Sequence, residues 1–398
     1  MHQPNCSDRH SKNKEVCRFA QANWRRRTDI FGIKLADRLF HFYILGKTGT
    51  GKTTMLYNKI RHDVLKKNGL CLIDIHGDLV QEVIKSIPKH RKKDLIYLDA
   101  TDTQLELGYN PLKRVSYEKR ALVASSILEV FQRLWGNQAW GVKMAHILRN
   151  ILLTLLDQDK ASFTDIIRLL NDPEFRNQCL IKIQSTDVRV FWQKEFDGYS
   201  KNDLLPIYNK IGAILSYPQV KRILVTNKKQ ISLSSAMDNK KILLVNISKG
   251  ALGTEASYII GSLLLTSIAS ASFNRINTKE ENRIPFFLYL DEFQHYTNLS
   301  LVEMLSELRK FKVGLVMANQ YLGQLDPRIK DALLGNVGTV VSFRLSLSDA
   351  RILEKEFYPI FKAIDFVDLP NYHIYLRMMI DGKPSKAFSA VSLKPLKF

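Results

Sequence analysis

The sequence predicts an α/β fold in which a mostly parallel sheet is interrupted by an all-helical insertion. Two observations predict this fold. Short apolar runs alternate with helical segments near both ends of the 398-residue chain, and a long middle stretch shows helical periodicity without a strand. Strands and helices that alternate at this spacing are typical of parallel βαβ units.

Residues 29–112 form the first part of the predicted core. Their apolar runs are short and bounded by glycine or polar residues, which is typical of strands buried in a parallel sheet. In chain order, the sequence predicts the strand Phe40–Leu45, the helix Thr53–Lys66, the strand Leu70–Ile75, the helix Val80–Ile87 and the strand Leu95–Leu98.

Residues 113–231 form the predicted all-α insertion, because apolar residues recur there at helical spacing and no convincing strand interrupts them. The helices predicted in it are Tyr117–Leu134, Val142–Leu156 and Ser162–Leu170. Residues 232–398 resume the alternation and complete the core. The elements predicted there are the strands Ile242–Ser248, Phe286–Glu292, Gly314–Gln320 and Thr339–Leu345, the helices Ala256–Phe273 and Leu301–Lys310, and a late edge strand, His373–Ile380.

Residues 1–28 are polar and rich in Arg and Lys, and near their end stands Trp24-Arg25-Arg26-Arg27. We expect them to form a flexible or loosely docked arm, and they show no signal-peptide pattern. The segment nearest to a membrane span is Ala256–Asn274, which carries no charge but contains five serines, a threonine and a glycine. Its composition favours a buried core helix over a helix that crosses a membrane.

The chain is strongly basic, with 59 Lys and Arg residues against 39 Asp and Glu residues and a formal net charge of +20. Such an excess favours nucleic acid or an anionic membrane face as a partner, although a charge spread over the whole surface would mainly aid solubility. The cysteines are scattered and show neither zinc-site nor disulfide-framework spacing. We therefore expect reduced thiols in a cytosolic protein at Cys6, Cys17, Cys71 and Cys179.

The most specific motif lies between the first predicted strand and the first predicted helix. It is an unbroken G-x-x-x-x-G-K-T in the context that a phosphate-binding loop requires, which disfavours an accidental glycine-rich turn. Backbone N–H groups of such a loop turn toward phosphate oxygens. Lys52 is expected to reach the β and γ phosphates of ATP, and the Thr53 hydroxyl to bind Mg²⁺. The predicted ATP-binding residues are Gly46, Lys47, Thr48, Gly49, Thr50, Gly51, Lys52, Thr53 and Thr54.

An acidic pair, Asp291-Glu292, ends the apolar run FFLYL. A strand there would deliver Asp291 to the edge of the sheet, where it is expected to hold Mg²⁺. Glu292 is expected to act as the general base that polarises the attacking water. An acidic pair at a strand end also suits a helix N-cap, but a phosphate-binding loop in the same chain favours the catalytic interpretation.

Three further residues are candidates for contact with the γ-phosphate. Gln320 ends the apolar run GLVMANQ, where its amide would orient the γ-phosphate or the attacking water. Arg309 and, less favoured, Arg344 are candidates for an arginine that acts on the site of a neighbouring subunit. The alternative for each is an ordinary polar residue at the surface or at the start of a loop.

Other polar segments give weaker indications. Asp74, His76 and Asp78 follow the second predicted strand and are expected to shape the nucleotide crevice, without a metal role for His76 alone. The basic clusters Lys89–Lys93 and Lys228-Lys229 suit contact with a phosphate backbone, but a solvated surface is the favoured interpretation of both.

Together, these residues resemble the HerA–FtsK superfamily of ring ATPases, and most closely the conjugative coupling proteins of type IV secretion, the TraG/TraD group. The resemblance extends from about Phe31 to near the C-terminus. Its motifs are DRLFHFYILGKTGTGKTT, LIDIHGDL, YNPL, LLVNISKGALG, the acidic pair, LRKFKVGLVMANQ and VGTVVSFRLSLSDARIL. The phosphate-binding loop alone would be generic, whereas this ordered series is specific.

The resemblance implies a RecA-like P-loop core that carries an all-α domain, and a homo-hexamer that uses ATP and Mg²⁺ to pump DNA through a central channel. It places Arg309 at the family's trans-acting arginine and Gln320 at its characteristic glutamine. A relaxase, a nuclease or a membrane secretion channel are the partners that such a motor would have. Coupling proteins usually begin with transmembrane helices, and no direct span is expected here. The expected location is cytoplasmic, either free or at the inner face of the membrane through a partner.

Two alternatives remain within the motor class: a HerA-like translocase paired with a nuclease, and a genome-packaging motor. An alternative of another class is a scaffold in which ATP only switches a protein-binding surface. Glu292 argues against the scaffold, because a switch does not need a general base. A GTPase is disfavoured, since the chain contains no N-K-x-D motif for reading the guanine base.

Overall fold

The computed structural model describes residues 16–23, 28–225 and 229–395. In these residues, one eleven-stranded sheet forms the centre of the fold, and two two-stranded ladders lie outside it. The strands are β1 (Val16–Ala22), β2 (Ile30–Lys34), β3 (Phe42–Leu45), β4 (Gly69–Asp74), β5 (Leu95–Asp99), β6 (Leu107–Gly108), β7 (Lys229–Gln230), β8 (Ile242–Asn246), β9 (Phe286–Asp291), β10 (Val313–Asn319), β11 (Thr339–Ser342), β12 (His373–Arg377), β13 (Met379–Ile380), β14 (Lys383–Pro384) and β15 (Phe388–Ser392).

The large sheet has the strand order β2–β1–β15–β12–β11–β3–β10–β9–β4–β8–β5. Neighbouring strands from β11 to β5 all run parallel, whereas those from β12 to β2 run antiparallel. Strands β3, β4, β8, β9 and β10 are buried along their whole length, as expected for a parallel sheet with helices on both faces. The predicted α/β core with a mostly parallel sheet is therefore confirmed.

Helices cover both faces of the sheet. On one face, Met55 and Ile60 of the helix after β3 pack into a core cluster with strand residues. On the other face, a larger cluster joins the sheet, the long helix after β8 and the insertion. The α-helices are Leu35–Arg38, Lys52–Leu65, Asp78–Ser86, Tyr117–Trp135, Val142–Leu156, Thr164–Asn171, Pro173–Ile181, Thr186–Val190, Lys201–Ser216, Pro218–Val225, Leu233–Asp238, Lys249–Leu252, Thr254–Phe273, Ser300–Glu307, Pro327–Asn336, Leu347–Phe357 and Ala363–Val367.

A buried polar network fixes the C-terminal end of the helix Lys52–Leu65. Arg38 donates from Nη1 and Nη2 to the two carboxylate oxygens of Asp63 at 2.7 and 2.6 Å, and the Tyr289 hydroxyl donates to the same carboxylate at 2.5 Å. Burial opposes ionisation of Asp63, but the Arg38 guanidinium and these hydrogen bonds hold its pKa below the ordinary value. Because Tyr289 lies on β9, the network ties this helix to the strand that carries the acidic pair.

The prediction of an arm over residues 1–28 is wrong for Val16–Ala22, which forms β1 within the sheet between β2 and β15. Phe19 of this strand is fully buried and packs edge-on against Phe42, with ring centroids 5.2 Å apart. The buried ammonium of Lys59 lies 3.7 Å from the Phe42 ring centroid and 4.9 Å from that of Phe19. Residues 1–15 and 24–27 lie outside the described residues.

The prediction of an edge strand over His373–Ile380 is also wrong. β12 ends at Arg377 and lies inside the sheet, paired on one side with β11 and on the other with β15. The outer neighbours β15, β1 and β2 come from the two ends of the chain, so no local sequence pattern indicates that they cover β12. Met379–Ile380 belongs instead to a separate ladder with Lys383–Pro384.

Residues 117–225 are helical, as expected of the insertion, but its predicted range also contains β7, which pairs in parallel with β6. A strand of two residues is too short to leave a period-2 pattern in the sequence. The first insertion helix, Tyr117–Trp135, packs against the core helix Thr254–Phe273, and both contribute to one hydrophobic cluster. The exact domain boundaries at residues 112–113 and 231–232 stay predictions.

The apolar segment Ala256–Asn274 lies in the helix Thr254–Phe273, most of whose residues are buried. Among the described helices, the segment Thr254–Asn277 alone is long and apolar enough to cross a membrane, and 78% of its most apolar window is buried inside the fold. A β-carbon at Gly261 would lie 2.7 Å from Cβ of Tyr296. The absence of a side chain there lets the helix lie close to its neighbour, as expected of a core helix.

Three cysteines of the described residues, Cys17, Cys71 and Cys179, are buried free thiols, which agrees with the prediction of reduced cysteines. Cys6 lies outside the described residues.

Candidate nucleotide-binding site

The ends of the parallel strands bring the predicted site residues to one edge of the sheet. Leu45 at the end of β3 pairs with Asn319 at the end of β10, and Asp291 at the end of β9 pairs with the residue before Asn319. Since parallel strands end at the same edge, the phosphate-binding loop, the acidic pair and Gln320 converge there. This is the edge at which open α/β sheets bind ligands.

The loop between β3 and the helix Lys52–Leu65 has the geometry of a phosphate-binding turn. Gly49 and Gly51 have φ angles of +77° and +121°, which residues with side chains rarely adopt. The Thr50 hydroxyl donates to the Lys47 carbonyl at 2.6 Å. The Lys47 amide donates to the Arg344 carbonyl at 3.0 Å, which ties the loop to the residues after β11.

Lys52 is buried at the centre of the loop, with 6% of its surface exposed. Its ammonium donates to the carbonyls of Gly46 and Lys47 at 2.7 and 3.3 Å and lies 3.7 Å from Oε1 of Glu292. Burial lowers the pKa of Lys52, while the carboxylates of Glu292 and Asp291 oppose this effect. The loop carbonyls hold the ammonium inside the loop, and its contact with phosphate oxygens stays a prediction.

The acidic pair is buried together with Asp74 at the end of β4. Burial raises the pKa of Asp291 to about 7, and the carboxylates of Glu292 and Asp74 add to this effect. The Asp74 carboxylate accepts hydrogen bonds from the backbone N–H groups of His76 and Val80 at 2.8 and 3.0 Å. Adjacent buried carboxylates fit a divalent cation, because Mg²⁺ prefers oxygen ligands and would offset their repulsion.

We expect Asp291→Asn to stabilise the nucleotide-free protein at pH 8, by on the order of 1–3 kcal/mol. The folded pKa of Asp291 is raised from 3.8 to about 7, so folding is penalised wherever this carboxyl must ionise in the folded state. The penalty is complete above pH 7 and shrinks as the pH falls toward 3.8, where the folded state binds the proton. The measurement is the melting temperature of both proteins in EDTA from pH 8 to pH 5.

Asp331→Asn is the matched control for this measurement, because Asp331 is exposed and should give no stabilisation at any pH. A difference between Asp291→Asn and the parent that stays constant from pH 8 to pH 5 would contradict the raised pKa.

Gln320 directly follows β10 and is half-buried. It lines a cleft together with Lys47 and Thr48 of the phosphate-binding loop and with Tyr321, Ser346 and Asp349. The amide predicted to contact the γ-phosphate or the attacking water therefore lies beside the loop.

Asn319 was not predicted as a site residue, yet it is fully buried beside the site. Its carboxamide oxygen accepts from the Tyr43 hydroxyl at 2.6 Å, and its amide nitrogen donates to the Tyr321 carbonyl at 2.9 Å. Its backbone carbonyl accepts from the Gly46 amide at 3.4 Å. Asn319 therefore joins the phosphate-binding loop to the segment that carries Gln320. The sequence does indicate a polar residue here, because Asn319 directly follows the apolar residues of VMANQ.

The two candidate arginines lie at opposite ends of the parallel strands. Arg309 precedes β10, so its guanidinium lies at the edge away from the loop, exposed and 3.5 Å from the centroid of the Phe40 ring. The seven residues of β10 span about 23 Å at 3.3 Å per residue, so Arg309 does not reach the site of its own chain. Arg344 follows β11 beside the loop and donates to Oδ1 of Asn371 at 3.0 Å.

The two basic clusters contain one buried arginine and several exposed residues. Arg91 is buried, donates to the Lys240 carbonyl at 2.9 Å and pairs with Asp94 at 3.1 Å, so it serves the fold. The other members of the first cluster are exposed, as is Lys229. Lys228 lies outside the described residues.

A family model described as the type IV secretion-system coupling protein DNA-binding domain matches residues 32–352. The chain belongs to this family. No curated protein matches it.

Among solved structures, the plasmid coupling protein TrwB in complex with ADP and Mg²⁺ is similar over 96% of this chain and 96% of that chain, with 16% identity and a TM-score of 0.69. TrwB with the GTP analogue GDPNP is similar over 92% and 88%, with 16% identity and a TM-score of 0.68. VirB4 of Thermoanaerobacter pseudethanolicus is similar over 96% of both chains, with 12% identity and a TM-score of 0.62. These likenesses confirm the RecA-like fold.

Membership of the family confirms the predicted resemblance to the coupling proteins of type IV secretion, and the description of the family as a DNA-binding domain agrees with the predicted DNA partner. The residues at the sheet edge fit ATP and Mg²⁺. The individual roles of Lys52, Thr53, Glu292, Gln320 and Arg309 stay predictions.

Proposed function

We propose that the chain is an ATP-driven DNA translocase that works as a homo-hexameric ring in conjugative type IV secretion. The observation that carries the proposal is the convergence of the loop lysine and the acidic pair, with the Lys52 ammonium 3.7 Å from the Glu292 carboxylate. A nucleotide-dependent scaffold would need the lysine but not the buried base beside it.

Each residue at the sheet edge has one task in this proposal. Lys52 binds the β and γ phosphates, and the Thr53 hydroxyl and Asp291 hold the Mg²⁺ that neutralises their charge. Glu292 accepts a proton from the attacking water, which its position one residue beyond Asp291 allows. Gln320 orients that water or the γ-phosphate. ATP supplies the phosphoanhydride bond whose hydrolysis drives the motion.

The proposed track is DNA bound through its phosphate backbone. Support comes from the family, described as a DNA-binding domain, and from the net charge of +20. Contacts with phosphates carry no sequence information, so the motor would move along any sequence. A relaxase, a nuclease or a secretion channel is the partner proposed for such a motor, and the proposed location is the cytoplasm, either free or at the inner face of the membrane through a partner.

Steady-state ATP hydrolysis with and without DNA tests the proposal. We expect turnover by the purified, assembled chain to rise with single- or double-stranded DNA and to fall as salt screens the phosphate contacts. Lys52→Ala should remove both the basal and the stimulated rate. Turnover that is indifferent to both forms of DNA in an assembled sample would favour the scaffold.

A further inference from the structure

A second loop lies directly against the phosphate-binding loop. Tyr372, just before β12, donates from its backbone N–H to the Thr50 carbonyl at 2.9 Å, and its own carbonyl accepts from the Ser392 amide at 2.8 Å. Its φ is +67°, an uncommon conformation for a residue with a side chain. Backbone strain of this kind persists where the surroundings hold the residue in one orientation.

The Tyr372 ring lies beside the glycine that precedes Lys52. A β-carbon at Gly51 would lie 2.9 and 3.3 Å from Cδ1 and Cε1 of Tyr372, and 3.0 Å from Cε1 of Phe343. Phe343 is fully buried and fills the space under the loop, whereas Tyr372 keeps 39% of its surface exposed. The loop is therefore flanked by an aromatic ring that is open to solvent.

The sheet order indicates which end of a nucleotide would face this ring. The acidic pair and Gln320 follow β9 and β10, so the terminal phosphate points to that side of β3. Tyr372 directly precedes β12 and Phe343 directly follows β11, and both strands lie on the opposite side of β3. A nucleotide whose terminal phosphate faces Glu292 therefore extends its base toward Tyr372.

Arg344 holds this second loop in place. Its guanidinium donates to Oδ1 of Asn371 at 3.0 Å and to the Leu369 carbonyl at 3.4 Å, and its backbone carbonyl accepts from the Lys47 amide. One residue thus links the loop of Tyr372 to the phosphate-binding loop. The Arg344 guanidinium is therefore hydrogen-bonded to residues of its own chain.

We infer that Tyr372 is the platform on which the base of the bound nucleotide stacks, and that Arg344 is a positioning residue for it rather than an arginine that acts in trans. Every base has a π face that an aromatic ring binds. The inference rests on the proposed function, because it presupposes a nucleotide on the phosphate-binding loop.

Binding of two probes, ADP and inorganic tripolyphosphate, tests the inference at fixed Mg²⁺ concentration. Tripolyphosphate occupies the phosphate subsite but carries no base. We expect Tyr372→Ala to weaken ADP binding about 10-fold and to leave tripolyphosphate binding unchanged, while Tyr372→Phe retains both affinities. Arg344→Ala should weaken ADP binding in the same selective way, whereas Tyr117→Ala, which removes an exposed tyrosine of the insertion, should change neither.

Tyr372→Leu keeps the apolar bulk and replaces the alanine variant if that variant does not fold. Equal weakening of both probes by the Tyr372 variants would show a structural role and overturn the inference, as would unchanged ADP binding. A parent protein that binds tripolyphosphate but not ADP would overturn it as well. A parent protein that binds neither probe would overturn the proposed function with it.

Discussion

Glu292→Gln is expected to abolish steady-state ATP hydrolysis, with a loss of about 10²–10⁴-fold in kcat, while ATP binding persists. The amide keeps the shape of the side chain, so its contact with Gln294 at 2.9 Å need not be lost, but it accepts no proton from water. The substitution also removes one of the carboxylates that raise the pKa of Asp291. Asp291 should then ionise at lower pH, so Mg²⁺-dependent nucleotide binding should be unchanged or tighter near pH 7.

The measurements are kcat with saturating DNA and the Kd for ATP in the presence of Mg²⁺. Glu280→Gln is a matched control, because Glu280 is exposed and lies shortly before β9, at the end of this strand opposite to Glu292. It should retain the kcat of the parent. A Glu292→Gln variant that turns over ATP at the parent rate would exclude Glu292 as the base and leave the scaffold as the better interpretation.

The parallel half of the sheet and the phosphate-binding loop could be predicted because their signals are local. β3, β4, β9 and β10 are apolar runs buried on both faces, and the loop follows one of them directly. Parallel strands end at a common edge, so the acidic pair was expected at the sheet edge that carries the loop. The strand order that brings Glu292 beside Lys52 is seen only in the structure. Element ends differ from the predictions by up to three residues, since hydrogen bonding rather than hydrophobicity decides them.

The antiparallel half could not be predicted in the same way. β1 and β15 belong to opposite ends of the chain, and β1 directly follows a polar segment. Phe19 of this strand is buried against Phe42 and Lys59, which are more than 20 residues away in the sequence, so the residues next to Phe19 do not reveal its burial. Asn319 and Tyr372 were missed for a related reason: each acts through a contact with a distant residue, Tyr43 in one case and Gly51 in the other.

Arg309→Ala is expected to lower turnover by about 10³-fold, and mixing of variants should show that the arginine acts on a neighbouring subunit. Arg309 lies at the sheet edge away from its own phosphate-binding loop, where its guanidinium is held over Phe40 and exposed. A Lys52→Ala subunit is inactive by itself but still presents an intact Arg309. In a mixed ring, it would complete the site of an adjacent Arg309→Ala subunit, which retains Lys52 and Glu292.

An equimolar mixture of Arg309→Ala and Lys52→Ala should therefore hydrolyse ATP faster than either variant alone once the subunits have exchanged. A mixture of Glu292→Gln and Lys52→Ala is the negative control, because both defects lie in one site and no arrangement of subunits completes it. Lys310→Ala removes an adjacent exposed cation that pairs with Glu307 and should keep the parent rate. If Arg309 acted within its own chain, no site in the first mixture would contain both groups, and mixing would restore nothing. Recovery of ATP hydrolysis in the first mixture but not in the control mixture is a result that only a contact between subunits explains.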